Sequence, residues 1–156
     1  MIVELKRWGV GAAMGVALLA TGSAAAHAGG GQPIAHAARA LRATDTARLH
    51  YVSASGSELV EDGKATGTLP GSMSAHVNVG ATLSGTFTIN TRGGSITGHG
   101  QATPHGSGTY ESFAGTVTVT GGTGRFAHAR GQTGLYGTFD RDNYALVVQT
   151  TGTLSY

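Results

Sequence analysis

The chain has no cysteine. That absence removes disulfide bridges, thiolate metal ligands and a cysteine nucleophile together, so stability has to come from packing and backbone hydrogen bonds. Charge is also scarce, with 12% of the 156 residues being Asp, Glu, Lys or Arg, against about 25% in average globular proteins. The net charge of +2 is too small and too dispersed for a nucleic-acid footprint, and no nucleic-acid partner is expected. No G-x-S-x-G elbow is present to expose a serine nucleophile. Gly121-Gly122-Thr123-Gly124 lacks the Lys-Ser/Thr and the long following helix of a phosphate loop. No motif implies a cofactor. Aromatic residues make up 6% of the chain and prolines number three, whereas glycines number 27.

The first 28 residues read as a secretory signal peptide. Lys6 and Arg7 supply a positive flank, residues 9–20 are apolar, and Ala26-His27-Ala28 is an A-x-A cleavage site. The apolar run is diluted by glycine, serine and threonine. It falls short of the about 20 strongly apolar residues of a membrane span, so a secreted, extracellular product without a stable membrane anchor is expected after cleavage. Loss of Lys6, Arg7 and Glu4 leaves eight basic against seven acidic residues. Residues 29–45 are rich in glycine and alanine, show no strand alternation, and read as a mobile leader.

From residue 46 to 156 the chain becomes a succession of short Thr-, Val-, Ile-, Tyr- and Phe-rich segments separated by glycine-containing turns. The clearest strand is the last, where Tyr144, Leu146, Val148, Thr150, Gly152, Leu154 and Tyr156 share one face. Leu83, Gly85, Phe87 and Ile89 alternate with Thr82, Ser84, Thr86 and Thr88, and residues 116–120 alternate likewise. Further strands are expected at 48–55, 64–69, 73–79, 95–102 and 133–139, with Glu58, Glu61 and Asp62 in a turn. Asp140-Arg141-Asp142-Asn143 reads as a hairpin loop. A Gly-Thr-apolar triplet recurs at Gly67, Gly85, Gly108, Gly115, Gly137 and Gly152, at spacings too irregular for a solenoid. Glycine inside strands marks bends where a sheet curls. About eight antiparallel strands with no helical covering layer predict an all-β, eight-stranded antiparallel barrel, because closure removes exposed edges. A two-sheet sandwich is the alternative that periodicity leaves open.

The run Gly121-Gly122-Thr123-Gly124-Arg125-Phe126-Ala127-His128-Ala129-Arg130-Gly131 has its own physical reading. Its glycines permit a tight turn, and Phe126 and Ala129, three apart, can plug a barrel end on one short helical turn. With Ser112-Phe113-Ala114-Gly115 upstream and Gly152-Thr153-Leu154-Ser155-Tyr156 downstream, it resembles the plant dirigent proteins. More distantly it resembles the allene oxide cyclases, and it is also similar to short exported bacterial barrels of this kind. The resemblance implies an eight-stranded antiparallel barrel that works by holding an apolar molecule in shape within its cavity. It carries over no catalytic residue.

On that reading Phe87, Phe113, Tyr144 and Leu146 are expected to line a cavity, with Arg125 and Arg130 beside its mouth. His99 and His105 lack a nearby third ligand, so no metal site is expected. His76 and His128 read as surface residues. Two functions follow as expectations. One is a secreted barrel that binds or sterically steers a small apolar ligand. The other is a non-enzymatic exported surface or matrix protein acting through a charge-poor, threonine-rich outer face, or as a homo-oligomer.

Overall fold

The computed structural model describes residues 39–156; the signal-like segment and the leader as far as residue 38 lie outside the described residues. Eight strands follow in order: β1 (Ala40–Ser55), β2 (Glu58–Gly67), β3 (Gly71–Val79), β4 (Leu83–Thr91), β5 (Gly94–His105), β6 (Tyr110–Gly122), β7 (Arg130–Asp140) and β8 (Leu146–Ser155). Each pairs antiparallel with its successor, and β8 returns to β1, closing a barrel in simple sequence order. Closure satisfies every strand edge and replaces the sandwich alternative.

Side chains alternate across this wall. Leu83 and Ile89 of β4, Ile96 and Ala102 of β5, and Phe113, Val117 and Val119 of β6 are buried, while outward-facing residues of the same strands, such as Ser84, Thr86, Thr97, Gln101, Thr116 and Thr118, are polar and more exposed. An apolar interior under a polar exterior is the reverse of a lipid-facing barrel. The loops at 56–57, 80–82, 106–109 and 141–145 lie at one end, hereafter the hairpin end. The turns 68–70 and 92–93, the β6–β7 connection, Arg39 and Tyr156 lie at the other, the terminal end.

Three expectations about local structure are corrected. First, β1 starts at Ala40 rather than after residue 45: Ala40 pairs with Ser155, Leu41 with Leu154 and Asp45 with Thr150. The inward series Leu41, Ala43, Asp45, Ala47, Leu49 runs unbroken, but small alanines and a carboxylate concealed it in the sequence. Second, Glu58, Glu61 and Asp62 lie within β2, and the turn falls at Gly56-Ser57, where Gly56 takes φ +62°. Third, Tyr144 precedes β8. Its φ of 59° makes it the one positive-φ residue other than glycine among those described, so the alternation of β8 breaks off at Leu146.

The GGTGRF run forms a 3-10 turn, Gly124–Phe126, whose Phe126 is fully buried together with Ala129. Gly94 and Gly124 both take positive φ and approach closely, with an added Cβ on Gly94 standing 3.1 Å from Gly124 Cα. The Arg125 amide donates to the Gly93 carbonyl at 3.0 Å, and Thr123 donates to Ser95 at 2.9 Å. The motif thus fastens the β6–β7 connection to the β4–β5 turn and plugs the terminal end with a phenyl ring.

Candidate functional site

The interior is not filled. Two adjoining cavities occupy it, sharing Met73, Phe87, Val117 and Val148 as lining, so that these four side chains form the waist between an upper and a lower lobe. The upper lobe, about 80 Å³, is lined toward the hairpin end by Leu49, Ala75, Leu83, Ala102, Phe113 and Leu146. The lower lobe, about 70 Å³, is lined by Ala43, Ala65, Leu69, Ile96 and Leu154, but also by Asp45, Thr133 and Thr150. Two separate groups of buried apolar residues surround the lobes: one includes Leu49, Leu59, Phe113 and Leu146, and the other includes Leu69, Ile96, Phe126 and Leu154.

The strands place three carboxylates on the inner wall. Asp45 of β1 is 8% exposed, Glu61 of β2 0% and Glu111 of β6 6%. Asp45 Oδ1 accepts a hydrogen bond from the Leu69 amide at 2.6 Å. Burial nevertheless pushes its carboxyl above the usual range, against the lowering effect of the Leu69 and Thr68 amides. Glu111 is met by the Arg141 guanidinium from the β7–β8 loop. Glu61 is different. Both of its oxygens are buried with no hydrogen-bond partner, and desolvation pushes its pKa up to about 7. Its cross-strand neighbours are Tyr51 on β1 and Ala75 on β3, neither of which brings a charge. Thr133 Oγ1, in the lining of the lower lobe, is likewise buried and unpartnered.

Aromatic rings gather at the hairpin end. Tyr144 lies 5.4 Å from Tyr51 and 6.1 Å from Phe139, centroid to centroid.

Of the residues singled out from sequence, Phe87, Phe113 and Leu146 come together in the upper lobe. Tyr144 does not join them: it is 43% exposed and lies among the aromatics of the hairpin end. Arg125 and Arg130 are at the plugged terminal end and line neither lobe. Arg125 stacks 4.6 Å above the Phe126 ring, and Arg130 Nη1 donates to the Ala129 carbonyl at 2.7 Å. Their guanidinium groups thus hold the plug from outside. His76 is on the outer face, 2.8 Å from Glu58. Among the described residues no three His, Asp or Glu side chains are grouped to hold a metal ion.

Sequence reasoning missed Asp45, Glu61 and Thr133 as interior groups, whereas the alternation of β8 already places Thr150 on the face of Leu146, Val148 and Leu154 that lines the lumen. The available signal was the i, i+2 series itself, Ala43-Asp45-Ala47 and Leu59-Glu61-Gly63-Ala65, continued through a carboxylate instead of being stopped by it. Compared with known proteins, the chain matches no family model, no curated protein and no solved structure.

Proposed function

We propose that the protein is an exported barrel whose interior binds a small, mainly apolar molecule. One observation carries this reading: two adjoining lobes of about 80 and 70 Å³ remain inside a closed barrel. Eight-stranded barrels are often just wide enough for their own side chains to fill them. An apolar lining with a few inward polar groups is the usual make-up of a small-molecule site. The sequence resemblance to dirigent proteins and allene oxide cyclases supports the same reading, since those barrels hold apolar molecules. Export rests on the signal-like N-terminus.

Benzene titrated into the purified protein and followed by NMR tests it. Shifts confined to the methyls of Leu49, Leu146, Val117 and Val148, abolished when Ala102→Leu fills the upper lobe, are the expected result. Perturbations spread over the outer face, or none, would reject interior binding.

A second reading draws on the outer face. The strand side chains pointing outward from β3, β4 and β5 are Ser, Thr, Asn, Gln and His, without a single Asp, Glu, Lys or Arg. Such a wall can meet a second copy or an uncharged matrix polymer without like-charge repulsion. Light scattering at increasing concentration distinguishes self-association from a strict monomer.

A further inference from the structure

The interior is unusual in the sign of its charge. Asp45, Glu61 and Glu111 are buried on the inner wall, and no Lys, Arg or His is among the buried residues described. Arg141 answers Glu111 from the loop, which leaves Asp45 and Glu61 without a cation. An unmet buried carboxylate is costly, and apolar neighbours do nothing to offset it. The buried side-chain atoms without a hydrogen-bond partner among the described residues are the two Glu61 oxygens and Thr133 Oγ1, and Thr133 shares the lower lobe with Asp45 and Thr150. Asp45, Thr133 and Thr150 thus bring polar groups to the lower lobe, whereas Glu61 lies on the wall outside both lobes.

We propose that the barrel takes a small apolar amine, with its ammonium group received by Asp45 and Thr133 in the lower lobe. The hydrocarbon passes the waist at Phe87 and Val148 into the upper lobe, and Glu61, on the wall outside both lobes, adds a second negative charge when it is ionised. This rests on the interior-binding reading above and narrows it to a ligand class. An ammonium donates charge-assisted hydrogen bonds to a carboxylate, which are shorter and stronger than neutral ones. In a desolvated interior the Coulomb attraction is larger than in water. A neutral alcohol would fill the same space without answering the charge, and a carboxylate ligand would meet repulsion from Asp45 and Glu61.

The test uses n-hexylamine, 1-hexanol and hexanoate, three probes of similar length and differing charge, titrated calorimetrically into the purified protein at pH 8. Hexylamine is expected to bind about tenfold or more tighter than hexanol, and hexanoate more weakly than either. Asp45→Asn, which keeps an acceptor for the Leu69 amide, and Glu61→Gln are each expected to lower the hexylamine affinity and leave that of hexanol unchanged. Hexanol or hexanoate binding as tightly as hexylamine would overturn the inference while interior binding stood. Hexylamine affinity left unchanged by Asp45→Asn would do the same, because the ammonium group would then be held without that carboxylate. If none of the three probes binds, the inference and the interior-binding reading fall together.

Discussion

The Phe113 ring lies over Gly137, its cross-strand partner on β7, so closely that a Cβ at residue 137 would stand 2.5 Å from Phe113 Cζ and 2.0 Å from the Val147 carbonyl oxygen. Phe87 is placed in the same way over Gly98, where an added Cβ would come within 2.8 Å of the ring. Each of the two cavity-lining phenylalanines thus uses a missing side chain on the neighbouring strand, which lets the ring lie along the wall rather than across the lumen. The glycines inside strands are part of the reason the lumen is not filled.

Gly137→Ala is therefore expected to destabilise the barrel by about 1–3 kcal/mol, since both the ring and the β8 backbone would have to move. Urea denaturation measures this. An unchanged midpoint would mean that the ring has another place to go.

The buried Glu61 carboxyl sets an expected pH dependence. Its folded pKa of about 7 lies above the ordinary value of 4.5, so between those limits the folded chain holds a proton that the unfolded chain has released. Stability should then be greatest below about pH 4.5 and fall as pH rises to about 7, by about 3 kcal/mol. Asp45, also raised by burial, acts in the same direction. The residues opposite Glu61 on β1 and β3 are Tyr51 and Ala75, and Glu58, Asp62 and Lys64 occupy the exposed face of β2. Thermal melts from pH 4 to 8 should show the decline, and Glu61→Gln should flatten most of it. A variant with the same slope as the parent would assign the effect to another group.

The start of β1 and the closing strand should be equally indispensable. A chain beginning at residue 46 loses the ladder from Ala40 to Asp45 against β8, along with buried Ala43 and the Leu41 side chain packed on the lower core. It is expected to melt roughly 10 °C or more below a chain beginning at residue 39. Leu146→Ala, at a 5% exposed position in the upper core, should cost about 2–5 kcal/mol. Equal melting of the two truncated chains would show that the barrel closes without the first third of β1.

The sequence by itself determined the class of fold. Strict alternation in β4 and β8, glycine inside strands and the absence of helical periodicity leave a curled antiparallel sheet, because a period of two can bury only one face. It also determined the plug, since Phe126 and Ala129 at a spacing of three after a glycine turn suit a single turn of tight helix. Only the tertiary structure decided where the carboxylates went. A sequence pattern treats Asp45 and Glu61 as interruptions, because isolated charges are usually solvated. Strand register is instead a collective property of ten or more residues, and slipping β2 by one residue to free Glu61 would expose Leu59 and Ala65. The same collective constraint carried Tyr144 out of its alternation. The loop closing β7 to β8 satisfied Asp140 and Asn143 through local hydrogen bonds to Asp142 and Ala145, and the backbone at Tyr144 took up the resulting turn.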